Sequence, residues 1–270
     1  MQITDNVFVV TGAGNGIGRE VALALLARGG HVAAVDLSRE GLDETTGLAD
    51  TASADRLSTH VVDVTDRAAV EALPDAVREA HGRIDGLVNV AGIIQPFVKF
   101  ADLEYPQMEK VLAVNLWGVI HTCKAFLPHL VLRREACIVN VSSMGALAPV
   151  PGQTLYGASK AAVKLFTEGL YSELRATTVA VTVVFPGGVD TGIAQHSGVA
   201  IPGMDAAPAD LAASMTSAPE AARQIVQGIE KGSYRVVIGK DARGLDRLSR
   251  FSPQRATDLI AKKMASLLAQ

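Results

Sequence analysis

Aromatic residues make up only 4% of this 270-residue chain, and it holds two cysteines and one tryptophan. Neither charge dominates: the formal net charge is −3 and the sequence pI about 6.1. Nucleic-acid surfaces need clustered Lys and Arg to displace counterions from phosphates, so that class of partner is not expected. Cys123 and Cys137 are too few for a disulfide framework and suit a reducing cytoplasm. No CxxC or HExxH spacing occurs, and no metal site is expected. The first apolar run, Val7–Val10, is too short for a signal-peptide core or a membrane span. What the chain does have is apolar bulk, 49% hydrophobic against 20% charged. That excludes a disordered chain and is enough to fill one core at this length.

Short runs rich in Val and Ile alternate with longer segments. The runs Val7–Thr11, His31–Asp36, Leu57–Asp63, Ile84–Val90, Ala136–Ser142, Val179–Phe185 and Tyr234–Ile238 have strand length. Several are apolar almost throughout, as strands covered on both faces are. Between them, Ile17–Arg28, Glu40–Asp50, Asp66–Ala80, Glu104–Leu132, Tyr156–Ala176 and Pro219–Lys231 are long enough for crossover helices. Seven strands alternating with helices predict an α/β fold, a doubly wound parallel sheet of Rossmann type in a single domain.

The first strand runs into Thr11-Gly12-Ala13-Gly14-Asn15-Gly16-Ile17-Gly18 and then a helix. Glycines there let the backbone approach a pyrophosphate, whose charge the free N–H groups at the helix start hold. The spacing is TGxxxGxG rather than GxGxxG, with Ile17 three after Gly14. Asp36 ends the second strand, followed by Leu37. A carboxylate there accepts ribose hydroxyls and repels a 2′-phosphate, which favours NAD over NADP; Arg39 stands nearby as a counterweight.

Tyr156 and Lys160 sit one helical turn apart on one face. A phenol titrates near pH 10, too high for base work at neutral pH, and a neighbouring ammonium favours the phenolate. Ser143 lies just past the end of the fifth strand, at the carboxyl edge where such sheets bind ligands, and its hydroxyl can hold a carbonyl oxygen beside Tyr156.

These features in this order resemble the short-chain dehydrogenase/reductase family, over about residues 6–239. The resemblance rests on Thr11–Gly18, Asp63, Asn89-Val90-Ala91-Gly92, Asn115, Ser143, Tyr156 with Lys160, and Pro186-Gly187-Gly188-Val189-Asp190-Thr191. It implies hydride transfer between nicotinamide and an alcohol/ketone pair, with Asn115, Ser143, Tyr156 and Lys160 as the catalytic set. It also implies a cofactor site of Gly12, Asn15, Gly16, Ile17, Asp36, Leu37, Asp63, Val64, Asn89, Ala91, Gly92, Tyr156, Lys160, Pro186, Gly187, Val189 and Thr191. Within it, Asp63 bonds the adenine amino group, Asn89 braces the strand, and Asn115 holds a water leading to Lys160. Val189 and Thr191 bond the carboxamide. Ser143, Gln153 and Tyr156 face the substrate. Where the family often has a second Asn, this chain has Val90. Thr191 also reads as a helix N-cap.

Asp190–Ser217 is long for a loop and reads as a substrate lid. Its Ile193, Val199, Ile201, Met204, Leu211 and Met215 suggest an apolar alcohol or ketone, with Asp205 and Asp210 the few charges. His196 lies in it. A polyol or sugar dehydrogenase of the same family, or a non-catalytic NAD-binding module, are the alternatives. Leu112, Leu116, Trp117, Ile120, Leu165 and Leu170 exceed what one sheet face covers and imply a homodimer or homotetramer. The domain is read as residues 1–239, lid 190–217 included. Residues 240–270 extend it as a basic helical tail, with Ser252 as N-cap, Pro253 first in the helix, and Ala256, Leu259, Ile260, Met264, Leu267 and Leu268 as one apolar stripe. Docking of that tail on protein near the substrate end or at the dimer interface is expected over a membrane role.

Overall fold

The computed structural model describes residues 1–200, 202 and 215–265. Seven strands form one sheet: β1 (Val7–Thr11), β2 (His31–Asp36), β3 (Leu57–Val61), β4 (Gly86–Asn89), β5 (Ala136–Val141), β6 (Val179–Pro186) and β7 (Arg235–Ile238). Their order is β3-β2-β1-β4-β5-β6-β7, and every pairing is parallel. The order turns back at β1, which leaves a crevice at the carboxyl ends of β1 and β4. The expected fold is the one found.

Helices cover both faces because the central strands are apolar on both. Phe8, Val10, Val32, Ala34, Val88 and Val139 point to one side, under α1 (Gly16–Ala27), α2 (Arg39–Leu48) and α6 (Ala218–Lys231). Val7, Val9, Ala33, Val35, Leu87 and Ile138 point to the other, under α3 (Arg67–His81), α4 (Tyr105–Leu130) and α5 (Thr154–Glu173). α4 is long and apolar enough to cross a membrane by composition, yet Val119, Cys123, Phe126 and Leu130 along it are buried in this core layer. It runs through a widened π turn at Ala113–Trp117.

Several ends moved by one to three residues from the expected bounds, and the tail differs more. It contains two helices, α7 (Lys240–Phe251) and α8 (Pro253–Lys263), where one was expected. Ser252 sits between them, and its side chain makes no capping bond. Its N–H closes α7 on the Leu248 carbonyl instead. Ala242, Leu245, Ala256 and Ile260 are buried, and Leu245, Ala256 and Ile260 pack with Ala148, Met144 and Val150. The tail therefore lies on the loop that follows Ser143. Its positions Leu267 and Leu268 are outside the described residues, as are Ile201, Gly203, Met204, Asp205, Pro208, Asp210 and Leu211 of the lid.

Candidate active site

The glycine loop links β1 to α1 at the crevice. Gly12 has a left-handed backbone (φ 70°), and a Cβ on it would come within 2.8 Å of the Ala91 nitrogen. Gly18 packs so closely on the Gly12 carbonyl that no side chain fits. Asn15 occupies the N-cap of α1 without a side-chain capping bond, and the first turn carries no acid. The helix start therefore presents N–H groups and a positive dipole end. Thr11 Oγ1 accepts the N–H groups of Val90 (3.1 Å) and Ala91 (3.3 Å), which ties the loop to the end of β4.

Asp36 lies against this loop. Its carboxylate accepts the Gly14 N–H (2.8 Å) and the Ser38 N–H (2.9 Å), and Gly14 is glycine because a Cβ would meet Asp36 Cγ at 2.8 Å. Arg19 reaches the same loop, bonding the Gly14 and Gly41 carbonyls and pairing with Glu44. Leu37 and Arg39 are exposed. Asp63 accepts both the N–H and the hydroxyl of Thr65 on one oxygen (2.8 Å each). Val64 is buried under α4, where a Cβ on Gly118 would touch it at 2.7 Å.

Ser143, Tyr156 and Lys160 come together at the carboxyl end of β5. Ser143 Oγ accepts the Gly145 N–H (3.0 Å), which leaves its proton to be directed at the Tyr156 oxygen beside it. Lys160 is buried, and Nζ donates to the Val141 carbonyl (3.1 Å). A Cβ on Gly92 would lie 3.0 Å from Nζ and 3.2 Å from Asn115 Oδ1, so Gly92 opens the space between them. Burial brings the Lys160 ammonium down to about 8. Burial also raises the Tyr156 phenol, and the Ser143 hydrogen bond pulls it part of the way back. The expected lowering of the phenol by Lys160 is thus absent from the protein alone. The reason is that burial desolvates the phenolate more than the Ser143 hydroxyl compensates.

The first turns of α5 are held from three sides. Ser142 Oγ donates to the Lys160 carbonyl (2.7 Å), and Asn115 Nδ2 donates to Ser159 Oγ (3.1 Å). Gln95 Oε1 accepts the N–H groups of Leu155 (2.8 Å) and Tyr156 (3.0 Å), while its Nε2 donates to the Gly152 carbonyl (2.9 Å). Gln95 is fully buried and caps α5 from a different loop. Sequence reasoning missed it, and the only signal was a Gln set between Ile94 and Pro96. Gln153, expected to face substrate, is buried at the α5 N-cap, with Nε2 donating to the Gln95 carbonyl (2.6 Å). Asn115 lies on the π turn; its Oδ1 accepts the Ile93 N–H and its Nδ2 donates to the Ile93 carbonyl, 2.9 Å each. These bonds join it to the Ile93 backbone rather than directly to Lys160.

Asn89 is buried between β4 and its neighbours, donating to Asn140 Oδ1 (2.9 Å) and accepting the Thr122 hydroxyl (2.9 Å). Thr191 packs its methyl 3.4 Å from where a Cβ on Gly16 would stand, which brings the Pro186–Thr191 segment beside the glycine loop. The short helix after it, Ile193–His196, is capped by Gly192 and not by Thr191. His196 folds back onto the Gly192 carbonyl (2.6 Å) and is exposed.

A family model for short chain dehydrogenases matches residues 6–200. The chain belongs to the short-chain dehydrogenase/reductase family. A Mycobacterium tuberculosis protein named as an oxidoreductase, SadH, is 38% identical over 265 residues, covering 96% of this chain and 95% of its own. A family member from Burkholderia phymatum, solved in complex with NAD, superposes with a TM-score of 0.83 at 27% identity, covering 95% of this chain and 97% of that one. Another from Burkholderia cenocepacia, solved with NADP, gives 0.79 at 26% identity over 96% and 99%. As a family member the chain is a nicotinamide-dependent oxidoreductase of alcohol/ketone pairs.

Proposed function

We propose that this enzyme interconverts a secondary alcohol and a ketone, prefers NAD(H) to NADP(H), and takes a fairly apolar substrate. The carrying observation is the meeting of Ser143, Tyr156 and Lys160 at the edge of the crevice that the glycine loop borders. The fit of a dinucleotide is supported by the glycine cradle that no Cβ could share and by the open N-terminus of α1. The assignment gives the pyrophosphate to Gly12–Ile17, the adenosine to Asp36, Leu37, Asp63 and Val64, and the nicotinamide ribose to Tyr156 and Lys160. Asn89, Ala91 and Gly92 flank it, and Pro186, Gly187, Val189 and Thr191 receive the carboxamide. When bound, the nicotinamide supplies the hydride acceptor or donor.

Ser143 donates its proton to the substrate oxygen and orients it against Tyr156. In oxidation Tyr156 removes the hydroxyl proton, and in reduction it gives one back. Burial holds the phenol above its ordinary value of about 10 in the protein alone, so base work near neutral pH would need the positive charge that an oxidised nicotinamide would bring beside Tyr156 and Lys160. Asn115 and Gln95 keep α5 in register. Gln153 acts on the site through the Gln95 backbone it bonds.

NAD preference is supported by the Asp36 carboxylate, fixed by two N–H groups where a 2′-phosphate would bring like charge. Arg19 is already committed to carbonyls and Glu44. The apolar substrate is supported by Ile193, Val199 and Met215 of the 190–217 segment and by Ile93 and Ile94, whose N–H groups bond Asn115 and Ser197. Exposed Trp117 on α4 and Leu165 on α5 support a homodimer or homotetramer, although Leu170 is buried within the protomer. Two buried free cysteines suit a reducing cytoplasm. The packing of α7 and α8 on Ala148 supports residues 240–270 as an extension of the same domain. The test is turnover of a panel of aliphatic, aryl, steroid and polyol alcohols with NAD⁺ and with NADP⁺. We expect kcat/KM at least about tenfold higher with NAD⁺, and equal or better rates with NADP⁺ would overturn the role of Asp36.

A further inference from the structure

We infer that Asp241, in the first turn of α7, is a positioning residue for the nicotinamide end of the cofactor, acting through the Pro186–Thr191 segment. The inference rests on the cofactor reading above and goes beyond it, because it gives the C-terminal extension a part in cofactor binding. Asp241 Oδ2 accepts the Gly188 N–H at 2.7 Å. A Cβ on Gly187 or on Gly239 would collide with the same carboxylate, so two glycines leave room for it. Gly239 takes a backbone (φ 94°) that side chains rarely adopt, which turns the chain from β7 so that Asp241 meets the loop.

The other bonds of this loop are backbone ones. The Gly187 N–H donates to the Ile238 carbonyl (2.9 Å), and the Gly188 carbonyl accepts the Thr216 N–H (2.9 Å). Val189–Asp190 then pairs with Thr216–Ser217 as a two-residue ladder. Asp241 is the only side chain among the described residues that bonds Gly187 or Gly188. Glycine has the most backbone freedom of any residue, so this pair depends on outside contacts for its shape. Val189 and Thr191 follow within three residues, and Thr191 is the residue that packs beside Gly16. Loss of the carboxylate would leave the Gly188 N–H without its partner and would free the loop exactly where the carboxamide is to be received. The adenosine end, built by Asp36 and the glycine loop, rests on separate contacts.

The experiment titrates full-length protein with NAD⁺ and with ADP-ribose, which lacks the nicotinamide ring. Asp241→Ala should weaken NAD⁺ binding about tenfold and leave ADP-ribose within about twofold of wild type. Asp241→Asn, which keeps an acceptor of the same shape, should restore NAD⁺ binding and guards against a folding defect in the alanine variant. Equal loss of both ligands, no loss of either, or an asparagine variant as weak as the alanine one would overturn the inference. Failure of wild-type protein to bind either ligand would instead overturn the cofactor reading on which it stands.

Discussion

Strand β5 serves two polar clusters only a few residues apart, and they are built in opposite ways. In the first, Asn140 accepts from Asn89 and donates to Thr167 of α5 (3.0 Å), while Asn89 accepts from Thr122 of α4. Thr122 and Thr167 also bond carbonyls of their own helices. The cluster is fully buried, pairs its polar atoms, and ties two helices to two strands. In the second, Ser143 directs its proton only at the Tyr156 oxygen, and Lys160 has one acceptor and, among the described residues, no carboxylate partner. Buried polar groups stabilise when every partner is present and cost free energy when one is missing. The first cluster therefore holds the layers together. The second keeps unspent hydrogen-bonding capacity, and its buried cation destabilises the protein until a ligand arrives.

The sharpest way to break the contrast is Tyr156→Phe. Turnover should fall by about 10²–10⁴-fold, the usual contribution of a proton-transfer group, while NAD⁺ affinity changes little in a direct titration. Near wild-type kcat would sink the assignment.

Lys160→Met should do the reverse of a core mutation and stabilise the protein. Burial lowers the Lys160 ammonium from 10.5 to about 8. The unfolded chain then binds the extra proton between those values, so wild-type stability rises with pH across about 8 to 10.5. Below pH 8 the folded protein carries the full cost, at most about 3 kcal/mol at about 1.36 kcal/mol per unit. Chemical denaturation at pH 7 should show the variant more stable by up to that amount, with the gain gone above pH 10.5. A less stable variant at pH 7 would show that the ammonium is already compensated.

Asn140→Ala tests the other cluster. It takes the acceptor from the Asn89 amide, while the Thr167 hydroxyl keeps its bond to the Val163 carbonyl, so about 1–3 kcal/mol of stability should be lost, the cost of one unsatisfied buried group. An unchanged melting temperature would show that the first cluster is not what holds the layers.

Gln95→Ala should have the smallest effect. It removes the acceptor for two N–H groups at the start of α5 and lets Tyr156 wander. We expect kcat to fall about tenfold, the effect of roughly 1.4 kcal/mol, with KM for NAD⁺ unchanged. A change confined to KM for NAD⁺ would place Gln95 at the cofactor rather than behind Tyr156.

Much of this was legible before any coordinates. The seven strands announced themselves because strands buried on both faces must be apolar throughout, and Val7–Thr11 and Ala136–Val141 are buried at every residue. The glycine loop and the Tyr156–Lys160 pair were readable because their spacing is local: a tight turn before a helix, and one helical turn. Helix α7 was not, since its lasting pattern is polar and only Ala242 and Leu245 are buried. Gln95 and Asp241 were not, because each acts on a segment distant in sequence, 60 and 53 residues away. Nothing in a chain marks which buried amide will meet which helix end. The burial that raises the Tyr156 phenol was not legible either, since composition cannot tell how dry a site is. Local geometry thus determined the elements and the candidates for the reacting groups. The tertiary structure alone decided their burial, their partners and hence their protonation, because desolvation and capping depend on what the fold places around each group.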